Sequence, residues 1–108
     1  MRRGEIWTAA DETHYAGKPR PVLVVQDDRF DVTDSITVCP LTSDPTDIPL
    51  LRIPVEPEQS TGLDQSSSIM VDKVTTMPRS KLGRQMGTTS DTDMLALSRA
   101  LVVFLGIA

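Results

Sequence analysis

Short apolar runs broken by proline, glycine and acidic residues give this chain the rhythm of strands and turns up to about residue 90, and of a helix beyond it. Glu5-Ile6-Trp7 reads as a first short strand, followed by a polar loop from Ala10 to Lys18. Pro21-Val22-Leu23-Val24-Val25 is the strongest strand signal. It is a continuous apolar run expected to be buried on both faces, with proline at a first position where it is tolerated. Ser35-Ile36-Thr37-Val38-Cys39 alternates polar and apolar, the period of a half-buried strand, and Pro40 is expected to end or bulge it. Leu51 to Val55 suits an edge strand interrupted by Pro54, and Ser68 to Asp72 suits a further strand. Gln85 and Met86 suit one more short pairing. The last segment changes period. Ser90 and Asp93 fit a capping box, Met94, Leu97, Leu101 and Phe104 recur at helical spacing, and Gly106 is a natural stop. The expectation is a mostly β fold of five to seven short strands with one C-terminal amphipathic helix.

With 108 residues, the chain is expected to form a single domain, 1–108, large enough to hold a core without metal or disulfide support. Aromatic residues make up only 4%, so the core must rest on Val, Ile, Leu and Met. Cys39 is the lone cysteine, which rules out an internal disulfide and suits a reducing compartment. The charged opening, Met1 to Glu5, has no apolar run behind it, and no apolar cluster is long enough to span a bilayer. A cytoplasmic protein with no membrane partner is expected. The net charge of −4 counts against a nucleic-acid binder. Its distribution softens that objection: Arg2, Arg3, Lys18 and Arg20 form one basic group and Lys73, Arg79, Lys81 and Arg84 another, while acids concentrate between Asp27 and Asp64.

Several words of the sequence, in order and from end to end, resemble the MazF/PemK toxin family. Arg2-Arg3-Gly4-Glu5-Ile6-Trp7 is similar to the family's opening, and Gly17-Lys18-Pro19-Arg20-Pro21-Val22 to its Gly-x-x-Arg-Pro-Val segment. Val38-Cys39-Pro40-Leu41-Thr42-Ser43 resembles the strand that ends in a threonine, and Ser67 to Met77 the segment that leads into a short helical turn. The resemblance implies an SH3-like small barrel, a homodimer, and a sequence-specific endoribonuclease toxin that cleaves single-stranded RNA without a metal. It also implies a cognate antitoxin whose acidic C-terminal tail occupies the RNA groove.

Metal-free RNA cleavage needs groups that place the 2′-hydroxyl, stabilise charge on the phosphorane and protonate the leaving oxygen. With one His, one Cys and no paired carboxylates at ligand spacing, no metal or other cofactor is expected. Arg20 lies between two prolines that stiffen its backbone, and a guanidinium grips phosphate oxygens through two donors at once. The resemblance makes it the catalytic arginine and Thr42 the catalytic threonine. The plainer readings are a surface arginine and a strand-end threonine closing a turn. Lys18, Ser43, Asp72 and His14 are the further RNA-binding candidates. Asp72 is suited to accept from a base amino group rather than to hold phosphate. His14, the only imidazole, lies in the polar loop, where a solvated role is the plainer one. Some relatives carry a catalytic arginine two residues before the acidic position, where this chain has Met70. A second cation would then come from elsewhere, with Arg84 and Lys73 as candidates. Trp7 is expected in the core rather than stacked on a base, and Cys39 is expected to be inert.

Two other readings stay open. One is a non-enzymatic toxin that binds a protein target such as DNA gyrase, since a gyrase-inhibiting family shares this type of fold and fold does not fix function. Known members of that family act through the C-terminal helix end, often with an aromatic there, whereas this chain ends Gly106-Ile107-Ala108. The other is a catalytically inactive relative that still binds antitoxin.

Overall fold

A computed structural model describes residues 1–10 and 19–107. Among them are seven strands and one α-helix: β1 (Glu5–Ala9), β2 (Arg20–Val24), β3 (Ser35–Thr42), β4 (Arg52–Val55), β5 (Ser67–Met70), β6 (Thr75–Pro78), β7 (Leu82–Thr88) and α1 (Asp91–Phe104). Every pairing is antiparallel, in the order β4-β5-β3-β2-β1-β7, with β6 added beside β3. This is the expected small-barrel, mostly β fold with a C-terminal helix.

β3 is the strand on which the rest converge. One edge of it pairs with β2 from Val38 to Pro40, and it also pairs with β6 from Ser35 to Val38 and with β5 at Leu41 and Thr42. Pro40 therefore neither ends nor bulges the strand, contrary to expectation. It falls between the last residue paired to β6 and the first paired to β5, where no ladder donor is required of it. Pro54 behaves as expected, on the edge strand β4 opposite Ser68. The strand predicted over Ser68–Asp72 stops at Met70, and Val71–Lys73 turn instead into a single 3-10 turn. β6 was not foreseen. Only Met77 of its four residues is even half-buried, so it has no apolar signature.

Both faces of the sheet are buried where β2 meets β3. Leu23, Cys39, Leu41, Ile69 and Val71 pack with Leu97 of α1 into one core. Val22, Val24, Ile36 and Val38 form a second core on the opposite face, with Trp7 and Met77 against it. Alternation along β2 and β3 thus feeds two cores at once, which explains a continuous apolar run in β2. Trp7 is half-buried and packs as expected, with its indole N–H donating to Glu5 Oε1 at 3.0 Å.

The helix begins where its sequence signals put it. Ser90 Oγ accepts from the Asp93 amide at 3.1 Å, and Asp91 and Asp93 place negative charge in the first turn. It ends in a Schellman motif: Gly106 N–H donates to Val103 O and Ile107 N–H to Val102 O, with Gly106 at φ 71°. The apolar stripe leaves the core before the helix ends. Leu97 is fully buried, but Phe104 is 43% exposed. Phe104, Val103 and Ala100 instead line an almost wholly apolar cleft of about 370 Å³ with Ile48, Leu50 and Leu51.

Candidate active site

The register of β2 against β3 carries the geometry of the site. Val22 lies opposite Pro40, Leu23 opposite Cys39 and Val24 opposite Val38. The ladder ends at Val22 and Pro40; Arg20 opens β2 two residues before Val22 and Thr42 closes β3 two residues after Pro40, so both lie at the same end of the paired strands. Two residues separated by twenty-one others in sequence are thus brought to the same end of adjacent strands. Arg20 is exposed and makes no ion pair among the described residues.

Thr42 is half-buried and ends β3. Its Oγ1 accepts from the Asp44 amide at 3.1 Å, so the turn-closing role expected of a strand-end threonine is present. That bond uses a lone pair and leaves the hydroxyl proton available to donate elsewhere. Asp44 in turn accepts from the Thr46 amide and hydroxyl at 2.9 and 2.8 Å, and these bonds hold its carboxyl below the ordinary range. Ser43 is exposed beside Thr42.

From Thr42 the same face continues onto β5 and β4. Thr42 pairs with Ser68, Ser68 with Pro54, and one row along Met70 pairs with Arg52. Arg52 is the residue that reading the sequence missed. Its Nη1 donates to Asp72 Oδ1 at 2.5 Å and to Leu51 O at 2.9 Å, and both side chains are largely shielded from solvent. Burial pushes the Asp72 carboxyl up, but the hydrogen bond and charge of Arg52 outweigh it and hold the group below its ordinary value. The cation beside Met70 is therefore Arg52. Lys73 is exposed at the end of the 3-10 turn, and Arg84 sits on β7, which pairs with β1. The only signal for Arg52 in the sequence is a charge inside the apolar run Leu51-Arg52-Ile53.

Several other cations are already committed. Arg3 donates to Val25 O and, at 2.6 Å, to Ser98 Oγ, tying the segment before β1 to the residue after β2 and to α1. Arg2 pairs with Asp28 at 3.3 Å, Arg29 with Asp27 at 3.0 Å and Arg79 with Asp31 at 2.5 Å. The basic group expected near the start of the chain is thereby reduced among the described residues to Arg20. Lys18 and His14 lie outside them. Burial pushes the Cys39 thiol up to about 12, which keeps it protonated and poorly nucleophilic. Among the described residues no three His, Cys, Asp or Glu side chains are grouped to hold a metal ion, and no helix is long and apolar enough to cross a membrane.

Residues 2–105 match the family described as PemK-like, MazF-like toxin of type II toxin-antitoxin system. A protein of Mycolicibacterium smegmatis named probable endoribonuclease MazF is 60% identical over 108 residues, covering all of this chain and 99% of that one. The solved structure of Mycobacterium tuberculosis toxin MazF-mt6 superposes with a TM-score of 0.80 at 27% identity, covering 94% of this chain and 96% of that one. An endoribonuclease solved in complex with its cognate antitoxin, from a mycobacterial species, shares the fold with a TM-score of 0.76 at 22% identity, over all of this chain and 97% of that one.

Proposed function

The chain belongs to the PemK-like, MazF-like toxins of type II toxin–antitoxin systems, and from that membership we propose that it is a sequence-specific, metal-independent endoribonuclease acting on single-stranded RNA. The observation that supports this reading is the β2–β3 pairing, which brings Arg20 and Thr42 to the same end of adjacent strands. In the reaction the RNA's own 2′-oxygen attacks the neighbouring phosphorus. The bond from phosphorus to the 5′-oxygen breaks, leaving a 2′,3′-cyclic phosphate and a 5′-hydroxyl. The proton lost from the 2′-hydroxyl is balanced by one gained at the 5′-oxygen, and no metal or redox partner enters. Arg20 supplies two parallel donors to the phosphoryl oxygens as charge builds on them, and Thr42 donates its free hydroxyl proton to the same oxygens. Arg20 stays charged throughout, since a guanidinium does not titrate near neutrality. Ser43, beside Thr42, and Asp72, at the end of the β5 row, are the RNA contacts within the described residues. Lys18 and His14 complete the proposed set.

The same family membership supports a single toxin domain, 1–108, acting as a cytoplasmic homodimer and neutralised by an antitoxin with an acidic C-terminal tail. The exposed apolar residues Val103, Phe104, Leu105 and Ile107 at the end of α1 support a protein partner there.

The test is incubation of the purified, antitoxin-free protein with a long single-stranded RNA in excess EDTA, followed by mapping of the ends. Cuts at one short word leaving 5′-hydroxyl ends are expected. Arg20→Ala should abolish them and Thr42→Val should slow them by about 100-fold, the usual cost of one donor to a developing oxyanion, with both variants folded. Growth arrest that survives Arg20→Ala, with no RNA cut by the parent protein, would instead identify a poison directed at a protein.

A further inference from the structure

We propose that the Arg52–Asp72 pair is the site's base-reading element, recognising the edge of a nucleobase next to the cut. This rests on the ribonuclease reading and adds to it a residue and a role. The pair lies on the right surface. Arg52 shares its face with Met70, Ser68 and Thr42 through two successive strand registers, one row from Thr42. It is also fixed in place. Nη1 makes both hydrogen bonds, to Asp72 and to the Leu51 carbonyl, and the Arg52 side chain is only 14% exposed. A guanidinium pinned by one nitrogen presents its remaining N–H groups in a set direction, and among the described residues none of these has a partner.

Charge decides between the backbone and the bases of RNA. The two side chains sum to zero, and the Asp72 carboxylate repels phosphate, so the pair is poorly suited to hold the sugar–phosphate chain. A carboxylate beside a guanidinium offers an acceptor next to donors, which complements a base edge that presents an amino or imino N–H beside a ring nitrogen or carbonyl. Met70, apolar and half-buried in the same row, gives the face of such a base a surface to lie on.

The experiment compares the parent protein with Arg52→Gln and Asp72→Asn on a pool of random-sequence RNA, reading the words at the cut ends and their rates, with thermal unfolding of each protein alongside. Both variants are expected to cut still, to lose preference at one nucleotide position, and to cut the parent's word about 10- to 100-fold more slowly, the discrimination one bidentate base contact gives. Their dependence on salt should match the parent's, because no phosphate contact is lost. Folded variants that keep the parent's word, or that slow on all words equally, would overturn the proposal. Should Arg52→Gln unfold, Arg52→Lys, which keeps the charge and the tie to Asp72 but not the fork, replaces it under the same criteria. If the parent cuts no RNA, the ribonuclease reading fails and this one with it. That failure is recognisable because it precedes any comparison of words.

Discussion

Asp72 feels two opposed influences, and their balance fixes how it couples to pH. Burial raises its affinity for a proton and Arg52 lowers it by more, so the folded carboxyl sits below its ordinary value of 3.8. The native state therefore binds this proton less well than the unfolded chain does. The stability gained is present in full above that value and drains away as the pH falls through the folded value. Asp72→Asn is expected to cost of order 1 kcal/mol at pH 7, the scale of a partly shielded ion pair, and progressively less below pH 3.8. Urea denaturation of both proteins across that range checks it, and a pH-independent difference would mean that the pair contributes shape rather than charge. Arg52 itself could not have been singled out by reading along the chain. Its partner lies twenty residues later in a turn that sequence periodicity had assigned to a strand, and only the β4–β5 register brings the two together.

At the level of elements, what periodicity measures was legible and what pairing decides was not. β2 announced itself because both its faces are buried, and α1 because a capping residue, a three- and four-residue apolar spacing and a terminal glycine agree. β6 stayed hidden because it presents almost nothing to a core and exists through its pairing with β3. Pro40 misled because the rule it invokes concerns a donor, and the exchange of neighbours along β3 leaves no acceptor waiting there. Arg20 and Thr42 each stand out in the sequence as candidates, but their meeting at one end of adjacent strands is a property of the β2–β3 pairing.

Gly62 shows how tightly one loop is docked on that framework. It sits at φ 71°, and a Cβ built there would lie 2.1 Å from the Met86 carbonyl oxygen, while the adjoining loop accepts from the Thr88 amide through Ser60 O at 2.8 Å. Gly106 has the same φ but open space around it. Gly106→Ala should thus cost only the left-handed backbone penalty of about 1–2 kcal/mol. Gly62→Ala should cost clearly more, because β7 or the loop must also move. Equal shifts in the two urea midpoints would show that the loop gives way freely.

At the scale of the molecule, an apolar surface is left bare at the end of α1. Val103 is 63% exposed, Leu105 55% and Ile107 73%, next to the apolar cleft under Phe104. Apolar residues gathered in this way mark a contact surface. If the proposed homodimer uses it, Val103→Glu should shift the sedimenting species to monomer while leaving the far-ultraviolet dichroism unchanged. A dimer that survives this change would have to be built on another face.

The pairing of β1 with β7, Glu5 opposite Thr88, joins the earliest strand of the chain to the latest, and Arg3 fastens to Ser98 in the helix beyond. Its consequence is one of timing. During synthesis β1 and β2 emerge long before the segment that must cover them, and contacts so distant in sequence form only after a large loop-closure entropy has been met. The sheet thus cannot be completed until β7 has been made, whatever has paired before it.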